Sequence, residues 1–275
     1  MNHSSSSSSS SSASIPHRPR RRAFTLVEIL AVLAVIAAII AIGVPAVAKV
    51  LQTGRVRNAE GTASVVKSAL MQYLSKPGSP GTFPVTEGAS PALTTEYTGA
   101  GSPSAAAVGA AATLDNVLLT EGVLDRPISL RIGAQNAIAT GSGNGFAWAP
   151  LTQSFTGTAA PTLSYATLSR VECAVSDGIN NPGLTGQTAG SAACAFDLAA
   201  NGNLVPNGSR VAYLILKSVP NSDAYQLALD VDGAGLLQNT AAAPAAADQS
   251  QGPVVYAKDA TATGFVDVYY YLTQI

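Results

Sequence analysis

At 275 residues the chain is long enough for one sizeable domain or two small ones, yet only 11% of it is charged, against about 25% in an average soluble domain. The formal net charge is -1, unevenly spread: Arg18, Arg20, Arg21 and Arg22 precede Phe24 without an acidic neighbour, and beyond Ala23 acidic residues outnumber basic ones. No clustered Lys/Arg face follows, so a nucleic-acid partner is not expected.

Residues 1–17 contain nine consecutive serines, Ser4 to Ser12, a composition that cannot bury enough apolar surface to order itself. The arginine cluster follows, and the character then switches abruptly. From Phe24 to Ala48 the only charged residue is Glu28. Those 25 residues would rise about 37 Å as a helix, enough to cross a hydrocarbon core of about 30 Å.

Beyond Lys49 the apolar positions thin to one face. Val56, Ala59, Ala63, Val66, Leu70 and Tyr73 recur at alternating spacings of three and four, the period of an amphipathic helix. Lys76-Pro77-Gly78 supplies its stop. One helix is therefore predicted from about Phe24 to Ser75, transmembrane over about 24–48 and amphipathic afterwards. Pro45 lies inside it and predicts a kink, because proline lacks the N–H and crowds the preceding turn.

Residues 77–110 are rich in Gly, Pro, Ser, Ala and Thr and read as a long irregular excursion, with a short helix around Leu114–Glu121. After Arg126 the chain reads as β-rich. The clearest strands are Val211–Ser218, Tyr225–Val231, Val254–Ala257 and Phe265–Leu272, and Pro220-Asn221-Ser222-Asp223 reads as the turn of a hairpin joining the first two. The Tyr269-Tyr270-Tyr271 run fits alternation within a terminal strand.

The two cysteines, Cys173 and Cys194, form no CxxC pair, and both histidines, His3 and His17, precede Phe24. A Cys/His zinc site thus lacks ligands in the main body. In an exported protein the expectation is a disulfide between Cys173 and Cys194. Asp230 and Asp232 put two carboxylates near a turn where calcium is conceivable, but the further ligands and terminal Glu of an EF-hand are missing; no metal and no cofactor is predicted. Asp177, Asn180 and Asn181 read as turn formers. There is no histidine after Phe24, no phosphate-binding glycine loop and no Gly-x-Ser-x-Gly elbow, so catalysis is not expected.

Residues 20–30, Arg-Arg-Arg-Ala-Phe-Thr-Leu-Val-Glu-Ile-Leu, resemble the processing site of type IV prepilins and type II secretion pseudopilins. The resemblance covers roughly residues 18–75. It implies that a prepilin peptidase cuts between Ala23 and Phe24 and methylates the new N-terminus at Phe24; alanine here stands where the family usually has glycine. It also implies a role for Glu28. A carboxylate in a membrane-length helix costs roughly 2.5–3.5 kcal/mol on insertion scales, and in the family it meets the amine of Phe24 on a neighbouring subunit, which offsets part of that cost and fixes register.

The expected fold is α+β, pilin-like: a cleaved leader (1–23), a long kinked helix (24–75), and an extracytoplasmic β-rich domain (76–275) whose antiparallel sheet packs on the amphipathic half of the helix, as a lollipop. The arginine cluster should stay cytoplasmic, giving a single-pass inner-membrane precursor and, after assembly, a periplasmic or cell-surface filament. Partners would be the peptidase, other copies of the chain, other pilin-like subunits and the inner membrane. The alternative is a membrane-anchored extracytoplasmic binding domain that never polymerises. A secretory signal peptide fits less well, since its apolar region runs only about 7–15 residues and ends at a small-residue cleavage site.

Overall fold

The computed structural model describes residues 26–77, 81–86, 113–126, 128–133, 147–149, 154–156, 169–184 and 194–275. The chain divides into two compact units, Met1–Ala48 and Lys49–Ile275. Helix α1, Leu26–Ser75, is continuous through the boundary between them.

In the second unit the three-four spacing becomes packing. Val56, Ala59, Ala63, Val66, Leu70 and Tyr73 are all buried, and they share one core with helix α2 (Leu114–Thr120) and one face of a sheet. The first turns of α1 after the boundary are fastened by side chains. Gln52 Nε2 donates to the Ser222 carbonyl at 2.9 Å, and Asn58 Oδ1 accepts from the Arg131 N–H at 2.9 Å. At the other end Lys76 and Pro77 terminate α1, as the sequence predicts.

A short antiparallel pair, β1 (Ala147–Ala149) and β2 (Ser154–Thr156), stands apart from the main sheet. The main sheet has four strands: β3 (Arg170–Val175), β4 (Arg210–Pro220), β5 (Val254–Tyr256) and β6 (Phe265–Gln274). Their order is β3-β4-β6-β5, with every pairing antiparallel. Successive side chains on a strand point to opposite faces, and β4 divides accordingly. Ala212, Leu214 and Leu216 join the core shared with α1, whereas Val211, Tyr213 and Ile215 join a second core on the other face. Phe196, Tyr213, Tyr269 and Tyr271 form the aromatic part of that second core, with ring centroids 5.5–6.3 Å apart. Tyr270 faces the first core, so the tyrosine run alternates as expected.

β3 is an edge strand, and its outward Val171 and Cys173 amides are occupied. Cys173 N–H donates to Thr86 Oγ1 at 2.9 Å and Val171 N–H to Asp115 Oδ1 at 3.2 Å, while the Cys173 carbonyl accepts from Thr86 N–H. At the opposite edge Gln249 exchanges two backbone bonds with Tyr256 of β5.

One expectation is corrected. Asn221–Asp232 is a helix, α3, where the sequence suggested a turn followed by a strand. The alternation Tyr225, Leu227, Leu229, Val231 mimics a strand, but the residues that bury are Asp223, Ala224, Leu227 and Ala228, at helical spacing. Pro220 directly precedes the first turn, and Gly233, at φ 79°, ends the helix. Cys173 and Cys194 are both buried; Cys173 belongs to the core shared with α1 and Cys194 to the aromatic core.

Candidate membrane and assembly segment

The first described stretch of α1, Leu26–Ala48, contains 23 residues and rises about 35 Å at 1.5 Å per residue. Every residue in it is exposed except Gly43, which is half-buried. Leu26 and Ile42, near its two ends, are 76% and 77% exposed. Apolar side chains run round the whole circumference, as the adjacent pairs Val32-Leu33, Val35-Ile36 and Ile39-Ile40 require. A helix apolar on all sides needs an apolar environment, and this one is long enough to cross a membrane.

Glu28 is the sole charge in the stretch and occupies the first turn of α1. That position suits a carboxylate, because the helix macrodipole leaves positive partial charge at the N-terminal end. Ala23 and Phe24 lie outside the described residues, as does the arginine cluster. Pro45 sits within α1 and brings no N–H to the Ala41 carbonyl, one turn back.

Where α1 enters the second unit, a residue pair that sequence reasoning missed holds it. Arg55 grips the Asp223 carboxylate through Nε at 2.8 Å and Nη2 at 3.2 Å. The Asp223 side chain is fully buried and that of Arg55 is 42% exposed. The forked geometry suits guanidinium and carboxylate, and Asp223 lies in the first turn of α3. The usable signal was a lone aspartate followed by Ala and Leu at helical spacing.

The other flagged residues are structural. Asp177 accepts from the Ile179 and Asn180 amides, each at 2.9 Å, and from Asn180 Nδ2 at 2.7 Å, making the turn expected there. Burial is the largest single influence and raises its carboxyl, but the Asn180 and Ile179 amides and the Asn180 side chain together draw it below the ordinary range. Exposed Asp230 accepts from Gln226 Nε2 at 2.7 Å, whereas Asp232 turns inward to the Val254 amide at 3.2 Å. Burial pushes the Asp232 carboxyl up to about 8. Among the described residues no group of three or more His, Cys, Asp or Glu is arranged to hold a metal.

Residues 18–44 match the family described as the prokaryotic N-terminal methylation motif. That is the prepilin-type signature of type IV pilins and pseudopilins, and the match takes in the arginine cluster, Ala23, Phe24, Glu28 and the apolar start of α1. Neither the curated proteins nor the solved structures give a match.

Proposed function

We propose that this chain is a structural subunit of a type IV pilus or pseudopilus-like filament. One coincidence carries the reading: the methylation motif falls on the start of a membrane-length helix that is exposed, apolar on all sides and interrupted by a single carboxylate.

In this reading the precursor is anchored in the inner membrane by α1 with its arginine cluster cytoplasmic. A prepilin peptidase removes residues 1–23, between Ala23 and Phe24, and methylates Phe24. Cleavage must come first, because an uncut chain has only an amide at Phe24, whereas cutting creates a cation. Glu28 then pairs with that amine on an adjacent copy, and the pair fixes axial register while lowering the cost of burying the carboxylate. Assembly exchanges lipid contacts for helix–helix contacts, which the small residues Ala31, Ala34, Ala37, Ala38, Ala41 and Gly43 allow to be close. Pro45 provides a local opening or bend in the packed helices. Residues 76–275 face the exterior and make the filament's outer contacts. The role is structural, not catalytic.

The test is N-terminal mass spectrometry on protein from its native host, together with Glu28→Ala in the same host. A chain starting at methylated Phe24 and poor assembly by Glu28→Ala are the expected results. A leader still attached would overturn processing. Unchanged function of Glu28→Ala in material processed at Phe24 would favour a membrane-tethered domain that does not polymerise.

A further inference from the structure

Asp232 is the last residue of α3, and its carboxyl is built into a corner. Oδ1 accepts from the Val254 N–H, the first amide of β5, at 3.2 Å. Oδ2 is sealed from solvent and has no hydrogen-bond partner among the described residues. The carboxyl lies directly over Gly252, where an added Cβ would meet Cγ at 2.6 Å and Oδ2 at 2.7 Å. The chain can pass there only because residue 252 has no side chain, and it does so at φ 90°.

The surroundings offer nothing to balance a charge. The groups that sense Asp232 electrostatically are Tyr256 of β5 and Tyr270 of β6. Tyr270 also senses Glu60 of α1, and Glu60 senses Asp230 of α3, with Arg57 the cation acting on Glu60. Tyr225 of α3 lies near Tyr256. Among the described residues no Lys or Arg pairs with Asp232. A carboxylate there would rely on one backbone amide while facing acidic or neutral neighbours, which is costly in a buried setting.

We propose that the Asp232 carboxyl is a proton-dependent clasp between the end of α3 and the start of β5, closed while it holds its proton and released when the proton leaves. Release follows from the geometry. An ionised group must reach water, and Gly252–Val254 block the way. The helix end and the strand start therefore separate for Asp232 to be solvated. Burial holds the carboxyl at about 8 while the exposed group returns to the ordinary carboxylate range, so the clasp loosens progressively as pH rises towards 8. This holds independently of the filament reading, since it concerns only the second unit.

The experiment is pulse-labelled hydrogen exchange on the full chain in detergent micelles, followed by mass spectrometry of the segment containing Val254. It runs from about pH 6 to 9.5, with observed rates divided by intrinsic rates. Protection is expected to fall about tenfold per pH unit as pH rises to about 8, and to level off above it. Asp232→Asn, neutral and nearly isosteric, is expected to show a flat profile, and Asp230→Asn to retain the fall. Constant wild-type protection up to about pH 9.5 overturns the clasp whether or not the variants fold. So does a fall that persists in Asp232→Asn.

Discussion

Removing the Arg55 side chain tests how α1 is held to the second unit. Its partner Asp223 is completely buried and is gripped by two hydrogen bonds of 2.8 and 3.2 Å. Removing one member of a buried ion pair costs about 3–5 kcal/mol, mostly because the other charge is left without compensation. Three features place Arg55→Met at or below the low end of that range. Arg55 is 42% exposed, Ser222 Oγ still reaches the carboxylate at 3.3 Å, and the first turn of α3 favours a negative charge. The expected loss is about 2–3 kcal/mol, which for a domain of this size lowers Tm by about 4–12 °C. Thermal melts of the full chain in detergent, followed by near-ultraviolet circular dichroism, would measure it. Adding Asp223→Leu to Arg55→Met should recover most of the loss, because a packed apolar pair replaces the orphaned charge. A single variant that melts within about 1 °C of the parent, or a double variant less stable than the single, would refute the reasoning.

Gly133→Ala should be severely destabilising, since its Cβ would come within 2.3 Å of the Lys217 carbonyl oxygen at a residue with φ 66°; a Tm reduced by more than about 5 °C, or loss of folded protein, is the expected reading for about 2 kcal/mol or more. Thr86→Val removes the acceptor for the buried Cys173 amide and should cost about 1–3 kcal/mol, visible in the same melts. The Asp259 carboxyl is held down at about 2 chiefly by the Asn221 side-chain amide, reinforced by the Gly264 and Thr263 donors. Its folded value lies below the unfolded one, so its contribution is complete above the ordinary carboxylate range and is lost as pH falls towards 2. Exchange protection of the Gly264 amide should persist at pH 4 and vanish near pH 2.

What the sequence made legible was local. The helical face from Val56 to Tyr73 repeats over several turns, so its period could be read without knowing its partner. β4 and β6 carry long alternating apolar runs, and the methylation motif is contiguous. α3 was misread because its apolar residues satisfy two periods at once, and only the packing of Ala224 and Ala228 selects the helical one. β3 was not recognised because it opens on Arg170 and carries a buried Glu172, which form an ion pair. Arg55 and Asp223 are separated by 168 positions, and no local pattern announces such a contact.

Both borders of the main sheet are occupied in part. Thr86 and Asp115 take the outward amides of Val171 and Cys173 along one margin, and Gln249 takes Tyr256 on the other. A strand margin with open donors would act as a template for any extended segment that drifted past. Domains brought to high local density would then fuse through cross-strand ladders instead of staying individual. With those positions plugged, crowding does not become gluing, and many such domains can stand side by side as separate bodies.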